Sequence, residues 1–518
     1  MPAAVPSPLT LRDIARRASS PDYQRWAAQI RRTGGCAQPI HLRGRVDYRD
    51  PLTGALLHRY STIHEPDGVL RVACKTRRAS RCPSCAKVYR ADTYQLVRAG
   101  LVGGKGVPDT VTAHPAAFVT LTAPSFGPVH ARREKADKVQ PCHPRRDLAE
   151  CPHGRPQSCT QRHGADDPRL GEPLCPDCYD YTGSVLFNAL APELWRRFTL
   201  ALRRRLAKAA GLTLAEMRAV LAVSFAKVAE YQRRGIVHFH AVIRLDGPDG
   251  PTTSPPAWAT GGLLDDAVRH AAHAVTVTTP AAEDVPARSL AWGSQVDVRP
   301  ITTTGELTDQ AVAGYIAKYA TKAAECVGTL DRRIRPTDDL DRLNIRDHAR
   351  RLITECQRLG ALPEMADLRL ADWAHMLGFR GHFSTKSRRY STTLGALREA
   401  RMAYNQREHD ITTGRLPLFD DDQVLVIAHW DYAGQGHTPG EAFLTAAING
   451  TSLPPLGPGD GDACARLIDE RRAECDGSPA GAAALRAEPS ALEVPCSGRG
   501  SRSSEMAWEP IAPRHRSR

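Results

Sequence analysis

The sequence predicts an α+β protein built around an antiparallel β-hairpin flanked by helices. Three observations lead there. Two apolar, strand-like runs, Ala219 to Tyr231 and Ile236 to Leu245, are separated only by Gln232-Arg233-Arg234-Gly235, which is hairpin spacing. A long amphipathic run from about Ser184 to Ala210 precedes them, with Leu186, Leu190, Leu194 and Phe198 near one helical face. Cysteines fall in two clusters, each ending in a Cys-x-x-Cys pair (Cys82/Cys85 and Cys175/Cys178), so small metal-held modules are expected beside the main fold.

The chain has 518 residues, more than one hydrophobic core usually serves, and it reads as four zones. Residues 1–110 open with a helical stretch, Leu11 to Ile30, then carry a strand-like run, His41 to Tyr48, and the first cysteine cluster. Residues 112–330 begin with the strand Ala117 to Thr122, followed by a Cys/His-rich insertion at about 140–180, the long helix and the hairpin. A Pro/Gly/Ser/Thr-rich loop spans 246–261; a helix around Asp265 to Val275, a strand at Gln295 to Ile301 and a helix from Thr308 to Glu325 complete this zone. Residues 331–450 read as a mainly helical, basic region, and 451–518 as a Gly/Pro/Ala/Arg-rich tail without fixed structure. The sequence has no internal repeat.

A hydrophobic content of 42% supports packed cores and excludes global disorder. The formal charge of +13 favours a polyanionic partner, because each cation set on a phosphate releases condensed counterions. No run approaches the roughly 20 apolar residues of a membrane span, and the N-terminus lacks the apolar segment of a signal peptide. A cytoplasmic protein with no membrane partner is therefore expected, and its 14 cysteines read as metal ligands or buried thiols rather than disulfides.

The hairpin carries the first candidate site. On a strand, His238 and His240 share a face while Phe239 points the other way, so both imidazoles can ligate one divalent ion. A three-residue loop, Arg233-Arg234-Gly235, puts glycine at the left-handed position and sets Gln232 opposite Ile236 and Glu230 opposite His238. Glu230 then joins the histidines in a two-histidine, one-carboxylate set with open positions. A two-residue loop would put Glu230 on the wrong face. A bare His-x-His is ordinarily a pair of surface or core histidines; the carboxylate, the glycine turn and the apolar run are what favour a metal.

The second candidate is Gly314-Tyr315-Ile316-Ala317-Lys318-Tyr319-Ala320-Thr321-Lys322. In a helix Tyr315 and Tyr319 stack on one face, as do Lys318 and Lys322. A phenol, with a reference pKa of about 10, is a poor nucleophile unless a nearby cation favours its anion. The plainer reading is two core aromatics beside solvated lysines.

Cys82 and Cys85 form a zinc-type knuckle that Cys74 and Cys36 can complete. Cys175 and Cys178 form a second, with Cys151 and Cys159 as first-choice partners and His153, His163, Cys142 and His143 in reserve. Two structural zinc sites are expected; reduced, buried thiols are the alternative. The basic residues around Cys82 fit phosphate contact and a solvated face equally well.

Together these segments resemble the HUH endonucleases, in which two histidines flank a hydrophobic residue. Phe118-Val119-Thr120-Leu121-Thr122, His238-Phe239-His240 and Tyr315 to Lys322 stand in that family's order. The Tyr-x-x-Lys-Tyr-x-x-Lys pattern is similar to that of rolling-circle replication initiators. The longer match, over roughly residues 36–440, looks closest to actinobacterial plasmid initiators of the RepSA type. It includes Cys-Pro-Asp-Cys-Tyr-Asp-Tyr-Thr-Gly (175–183), Glu-Tyr-Gln-Arg-Arg-Gly (230–235) and Gly-Phe-Arg-Gly-His-Phe-Ser-Thr-Lys-Ser-Arg-Arg-Tyr-Ser (378–391).

The resemblance implies a five-stranded, mostly antiparallel sheet with His238 and His240 on a central strand and the tyrosine helix alongside. It implies Mg²⁺ or Mn²⁺ on the histidines; the third ligand, Glu230, comes from the hairpin register and not from the family's motif. A tyrosine attacks the plasmid origin DNA, leaving a 5′-phosphotyrosine and a 3′-OH that primes a host DNA polymerase. Tyr319 is the first choice of nucleophile and Tyr315 its alternate, with Lys318 as an electrostatic helper. Lys386, Arg388 and Arg389, beside Tyr390, are expected to contact DNA. No Walker-type loop is present, so a host helicase must separate the strands. Three other readings stay open: a non-catalytic zinc-containing DNA-binding regulator, an HUH transposase or relaxase, and a phosphoesterase that uses water.

Overall fold

The computed structural model describes residues 7–450 apart from 136–137, 148, 302–307, 322–326, 331, 336–337 and 414–423. The expected tail at 451–518 and the end of the tyrosine helix, Lys322 included, lie outside the described residues.

The helical stretch expected at Leu11 to Ile30 is two helices, α1 (Pro8–Ala18) and α2 (Tyr23–Arg32). Pro21 lacks the amide a continuous helix would need. Strands β1 (Ile40–Arg49), β2 (Leu56–Ser61) and β3 (Leu70–Val72) follow. Next comes α3 (Pro83–Val102), absent from the sequence reading; Cys82 caps it by accepting from the Cys85 amide, and Pro83 occupies its first turn. Beyond it lie β4 (Ala116–Leu121), the small strands β5 (Arg133–Lys135) and β6 (Lys138–Gln140), and the long helix α4 (Tyr181–Ala209). A capping box of Thr213 and Glu216 starts the short helix α5 (Leu214–Val220), so the strand expected from Ala219 begins later, as β7 (Ala222–Tyr231). Then come β8 (Val237–Asp246), α6 (Gly261–Ala274), β9 (Thr276–Thr278), β10 (Ser289–Ala291), β11 (Val296–Pro300) and α7 (Asp309–Ala320). The region expected to be mainly helical supplies α8 (Asp347–Gly360), α9 (Leu394–Thr413) and α10 (Pro439–Asn449), but also two strands, β12 (Ser384–Lys386) and β13 (Leu425–Gln435).

The central sheet has five strands in the order β11-β4-β8-β7-β12, with every neighbouring pair antiparallel. Its two faces bury different helices because side chains alternate along each strand. On one face Val119, Leu121, Phe239 and Ile243 pack with Leu194, Trp195 and Phe198 of α4 and Leu264 and Val268 of α6. On the other, Phe118, Ala226, Val228 and Val242 pack with Val312, Ile316 and Tyr319 of α7 and Leu96, Val97 and Leu101 of α3. The tyrosine helix is thus clamped between the sheet and α3. A second sheet, order β13-β1-β2 with β3 beside β1, joins strands from both ends of the described region.

The far end of β8 is held by a buried ionic knot. Arg244 is fully buried and donates to both Asp246 carboxylate oxygens (2.6 and 2.8 Å) and to the Tyr390 carbonyl (3.1 Å), and His114 Nδ1 meets Asp246 at 2.8 Å. The Tyr390 ring lies where a Cβ on Gly100 would fall 2.3 Å from it, and its hydroxyl donates to the Val97 carbonyl at 3.0 Å. Tyr390 is therefore a core residue. No helix among the described residues is long and apolar enough to cross a membrane.

Candidate metal centre and tyrosine pair

The hairpin turn decides the site. The Gln232 amide donates to the Ile236 carbonyl (2.9 Å), the Gly235 amide to the Gln232 carbonyl (2.8 Å), and Gly235 is left-handed at φ +75°. A Cβ on Gly235 would also press on Leu352 and Leu377 at 2.8 Å. With three residues in the loop, Glu230 pairs with His238 and Tyr231 with Val237. Glu230, His238 and His240 consequently share the face that α7 covers, while Phe239 enters the opposite core.

Their polar atoms converge. His238 Nε2 and His240 Nε2 are 2.7 Å apart, and Glu230 Oε2 lies 3.1 and 3.0 Å from them. Ligand atoms about 3 Å apart are what one divalent ion with bonds near 2.1 Å requires, and two imidazoles with one carboxylate leave further positions open. The donor set fits such an ion, Mn²⁺ better than Mg²⁺ because Mg²⁺ prefers an all-oxygen shell.

Around this cluster the ring of His240 is fixed: Thr120 Oγ1 meets its Nδ1 at 3.0 Å, and Phe118 stacks on it with centroids 5.7 Å apart. Burial, reinforced by the neighbouring His238, pushes the His240 imidazole down to about 4, so it stays neutral, as a ligand must. Burial alone would raise the Glu230 carboxyl, but hydrogen bonds from His238 and His240 outweigh it and hold it at about 2.

The tyrosines reach this cluster unequally. The Tyr315 hydroxyl lies 3.1 Å from His240 Nε2 and donates toward Glu230 Oε2 at 3.4 Å. Tyr319 is 1% exposed, and its ring stacks at 30° to the His240 ring, 6.0 Å away. Burial and the Glu230 charge push the Tyr315 phenol well above its ordinary value. Lys318 Nζ sits over the Tyr319 ring at 5.6 Å.

The three cations expected at DNA diverge. Lys386 turns its ammonium onto the carbonyls of Ser391 (3.0 Å), Arg388 (3.3 Å) and Ser387 (3.4 Å), tying the turn after β12. Arg389 donates to the Pro248 carbonyl, and Arg388 is exposed.

Cys36, Cys74, Cys82 and Cys85 come together as one set. A zinc tetrahedron with Zn–S near 2.3 Å has edges of about 3.8 Å; Cys82 and Cys36 are 3.8 Å apart, and Cys74 and Cys85 3.6 Å. The second expected set does not form as drawn. Cys159 joins His130, Cys142 and His163, while Cys151, Cys175 and Cys178 take His153 as their fourth member. Backbone hydrogen bonds between Cys159 and His143, both 2.8 Å, hold Cys159 beside Cys142. All three sets, one of four cysteines and two of mixed cysteine and histidine, are of the kind that suits zinc, and none of the described cysteines forms a disulfide.

Sequence reasoning missed Thr120, His130 and Asn188. The first was visible as a polar residue inside an apolar strand, and the second as an isolated histidine ahead of the cysteine cluster. Asn188 is a buried amide on α4 whose Nδ2 donates to the Gly235 and Leu377 carbonyls (both 2.9 Å) and whose Oδ1 accepts from the Val237 amide (3.0 Å).

Comparison with known proteins adds two findings. Residues 22–450 match the family described as "RepSA: Replication initiator protein, pSAM2". A curated protein named "Replication initiator protein", from Streptomyces ambofaciens, is 55% identical over 455 residues, covering 86% of this chain and 94% of that protein. No solved structure matches the chain.

Proposed function

The chain belongs to the RepSA family of replication initiator proteins, and from that premise we propose that it initiates plasmid replication as an HUH-type nickase. One DNA strand is cut at the origin by Tyr315, with Tyr319 behind it as the second phenol. The observation that carries this is the meeting of Tyr315 Oη with His240 Nε2 and Glu230 Oε2 at one point, 3.1 and 3.4 Å away. That proximity reverses the order expected from sequence, where Tyr319 came first.

Glu230, His238 and His240 would hold a divalent cation, which supplies positive charge against a scissile phosphate and against a developing phenolate. Thr120 and Phe118 orient His240, and α3 backs the tyrosine helix so that the phenol keeps its distance from the triad. Tyr315 Oη gives up its proton and forms the bond to phosphorus. The bond from phosphorus to the 3′ oxygen breaks, and that oxygen takes up a proton. The products are a 5′-phosphotyrosine and a free 3′-OH for a host polymerase, once a host helicase has opened the duplex. Lys318 lends positive potential near the second phenol.

A supercoiled plasmid carrying the origin, incubated with Mn²⁺ and the full chain, tests this. Nicked circles and a covalent protein–DNA adduct on the peptide containing Tyr315 are expected. Tyr315→Phe should lower first-strand nicking by about 10³-fold or more, the scale of losing a nucleophile that acts as a unit with its site, and Tyr319→Phe by much less. Nicking without an adduct would indicate water as the nucleophile, and DNA binding without nicking would indicate a regulator; either result overturns the reading.

A further inference from the structure

From residue 130 to 172 the chain makes no core of its own: among the described residues, the buried hydrophobic side chains there are Cys142, Cys151 and Leu170. Apart from the small β5–β6 pair, its backbone order is short bridges at Val129–Pro173, His143–Cys159 and Glu150–Pro156. What gathers the segment is two sets of ligand-type residues, and their order is interleaved. The pairs run His130/Cys142, Cys151/His153, Cys159/His163 and Cys175/Cys178; the first converges with the third, and the second with the fourth. Neither set can close without crossing the other.

We propose that both sets hold zinc in a cross-brace, giving three zinc ions per chain, and that the ion on His130, Cys142, Cys159 and His163 positions the turn of the triad hairpin. The geometry is that of a built site. His163 Nε2 lies 3.2 Å from His130 Nδ1 and 3.5 Å from Cys159 Sγ, and Cys142 Sγ is 3.9 Å from His130 Nδ1. The far nitrogen of His163 meets the Asp167 carboxylate at 2.7 Å, the support that fixes a ligating imidazole's tautomer. The Ala131 amide lies 3.2 Å from the Cys142 sulfur, as a donor to a thiolate does. Zinc with two thiolates and two neutral imidazoles carries no net charge, which suits a site where Cys142 and His163 are buried.

The same loop then touches the hairpin. Arg233 donates to the Ala165 carbonyl at 2.7 Å, and Gly171 lies so close that a Cβ there would sit 2.5 Å from the Arg233 carbonyl. The Gly171 amide donates back to the His130 carbonyl at 2.8 Å, so the ligand and the contact are one piece of chain. Arg233 stands three residues from Glu230 and five from His238. The positioning role rests on the proposed function of those two residues; the zinc count does not.

The full chain, expressed in zinc-supplemented medium and weighed by native mass spectrometry, should carry three zinc ions. His163→Ala and Cys159→Ser should each carry two, and His163→Cys three. Electron paramagnetic resonance of free Mn²⁺ should show triad affinity 10- to 100-fold weaker in His163→Ala, the range for losing outer support of a metal site, and recovered in His163→Cys. Two or fewer zinc ions in the unaltered chain, a count that needs no variant, overturns the site. Loss of one zinc with Mn²⁺ affinity unchanged overturns the positioning role. An unaltered chain that binds three zinc ions but no Mn²⁺ removes the catalytic-metal reading, and the positioning role with it, while leaving the cross-brace standing.

Discussion

Single residues on this sheet are sorted by parity, and Lys227 shows what that sorting can force. It lies on β7 three residues before Glu230, hence on the opposite face, with its ammonium 3.8 Å from the Phe239 ring centre and 5.6 Å from that of Trp195. Burial pushes it down to about 7. Between there and its unfolded value near 10.4 the unfolded chain holds more protons than the folded one, so this residue makes stability rise with pH across that window. Below pH 7 the full penalty stands, on the order of 4–5 kcal/mol. Lys227→Met should therefore be more stable at pH 7, with the advantage shrinking by about 2 kcal/mol at pH 9. Urea midpoints of both proteins at the two pH values measure it, and an advantage that does not change with pH would rule the explanation out. Alternation along β7 is enough to turn Lys227 away from the histidines. Which aromatic rings would surround it was hidden, because Trp195 comes from a helix whose docking angle no local signal encodes.

At the scale of elements, the β7–β8 hairpin is the piece most legible in sequence, because one glycine and a loop of three fix the register of every side chain beyond it. The grip on that turn was not legible. Asn188 of α4 binds it through the Gly235 carbonyl and the Val237 amide and ties it to the Leu377 carbonyl, and His348 of α8 meets the Arg234 carbonyl at 3.0 Å. An asparagine inside an amphipathic run reads as a polar interruption until its partner is known. Asn188→Ala leaves two carbonyls and an amide buried without partners, so a loss of about 3 kcal/mol is expected, near the sum of such penalties after relaxation. Slower nicking should accompany it even where the protein remains folded. Hydrogen exchange localises the effect: amides of residues 232–237 should lose protection before those of β4 do. Uniform loss across the sheet would mean that Asn188 supports the core in general and not the turn. Helix α3 went unread for a related reason. Its start, Cys82-Pro83, is at once a helix cap and part of a four-cysteine set of the kind that suits zinc, so one pattern overlies the other.

On the scale of the whole molecule, the two ends of the described region are joined, and this is the feature local patterns carry least. Strand β13 pairs with β1 across nearly 400 positions, and α10 packs on α1 and α2. Alternation within β1 says that it is a strand but not which strand it will meet. The join is sealed by charge: Glu441 is buried and takes Arg17 at 2.7 Å and Arg71 at 3.7 Å, while Asp67 takes the same arginines at 2.6 and 2.5 Å. Arg17 and Arg71 are themselves buried, so removing the carboxylate strands two cations in a poor solvent, and Asp67, about half exposed, can compensate only in part. Glu441→Gln keeps the shape and removes the charge. A loss of about 2–3 kcal/mol is expected, below the usual 3–5 for breaking a buried pair because Asp67 remains. The loss should be confined to the terminal sheet: exchange of β1 and β13 amides should quicken while β8 amides keep their protection and origin nicking in Mn²⁺ is unchanged. If β8 exchange rises in step with β1, the two sheets unfold as one cooperative unit, and the join is as much a part of the support for Glu230, His238 and His240 as α3.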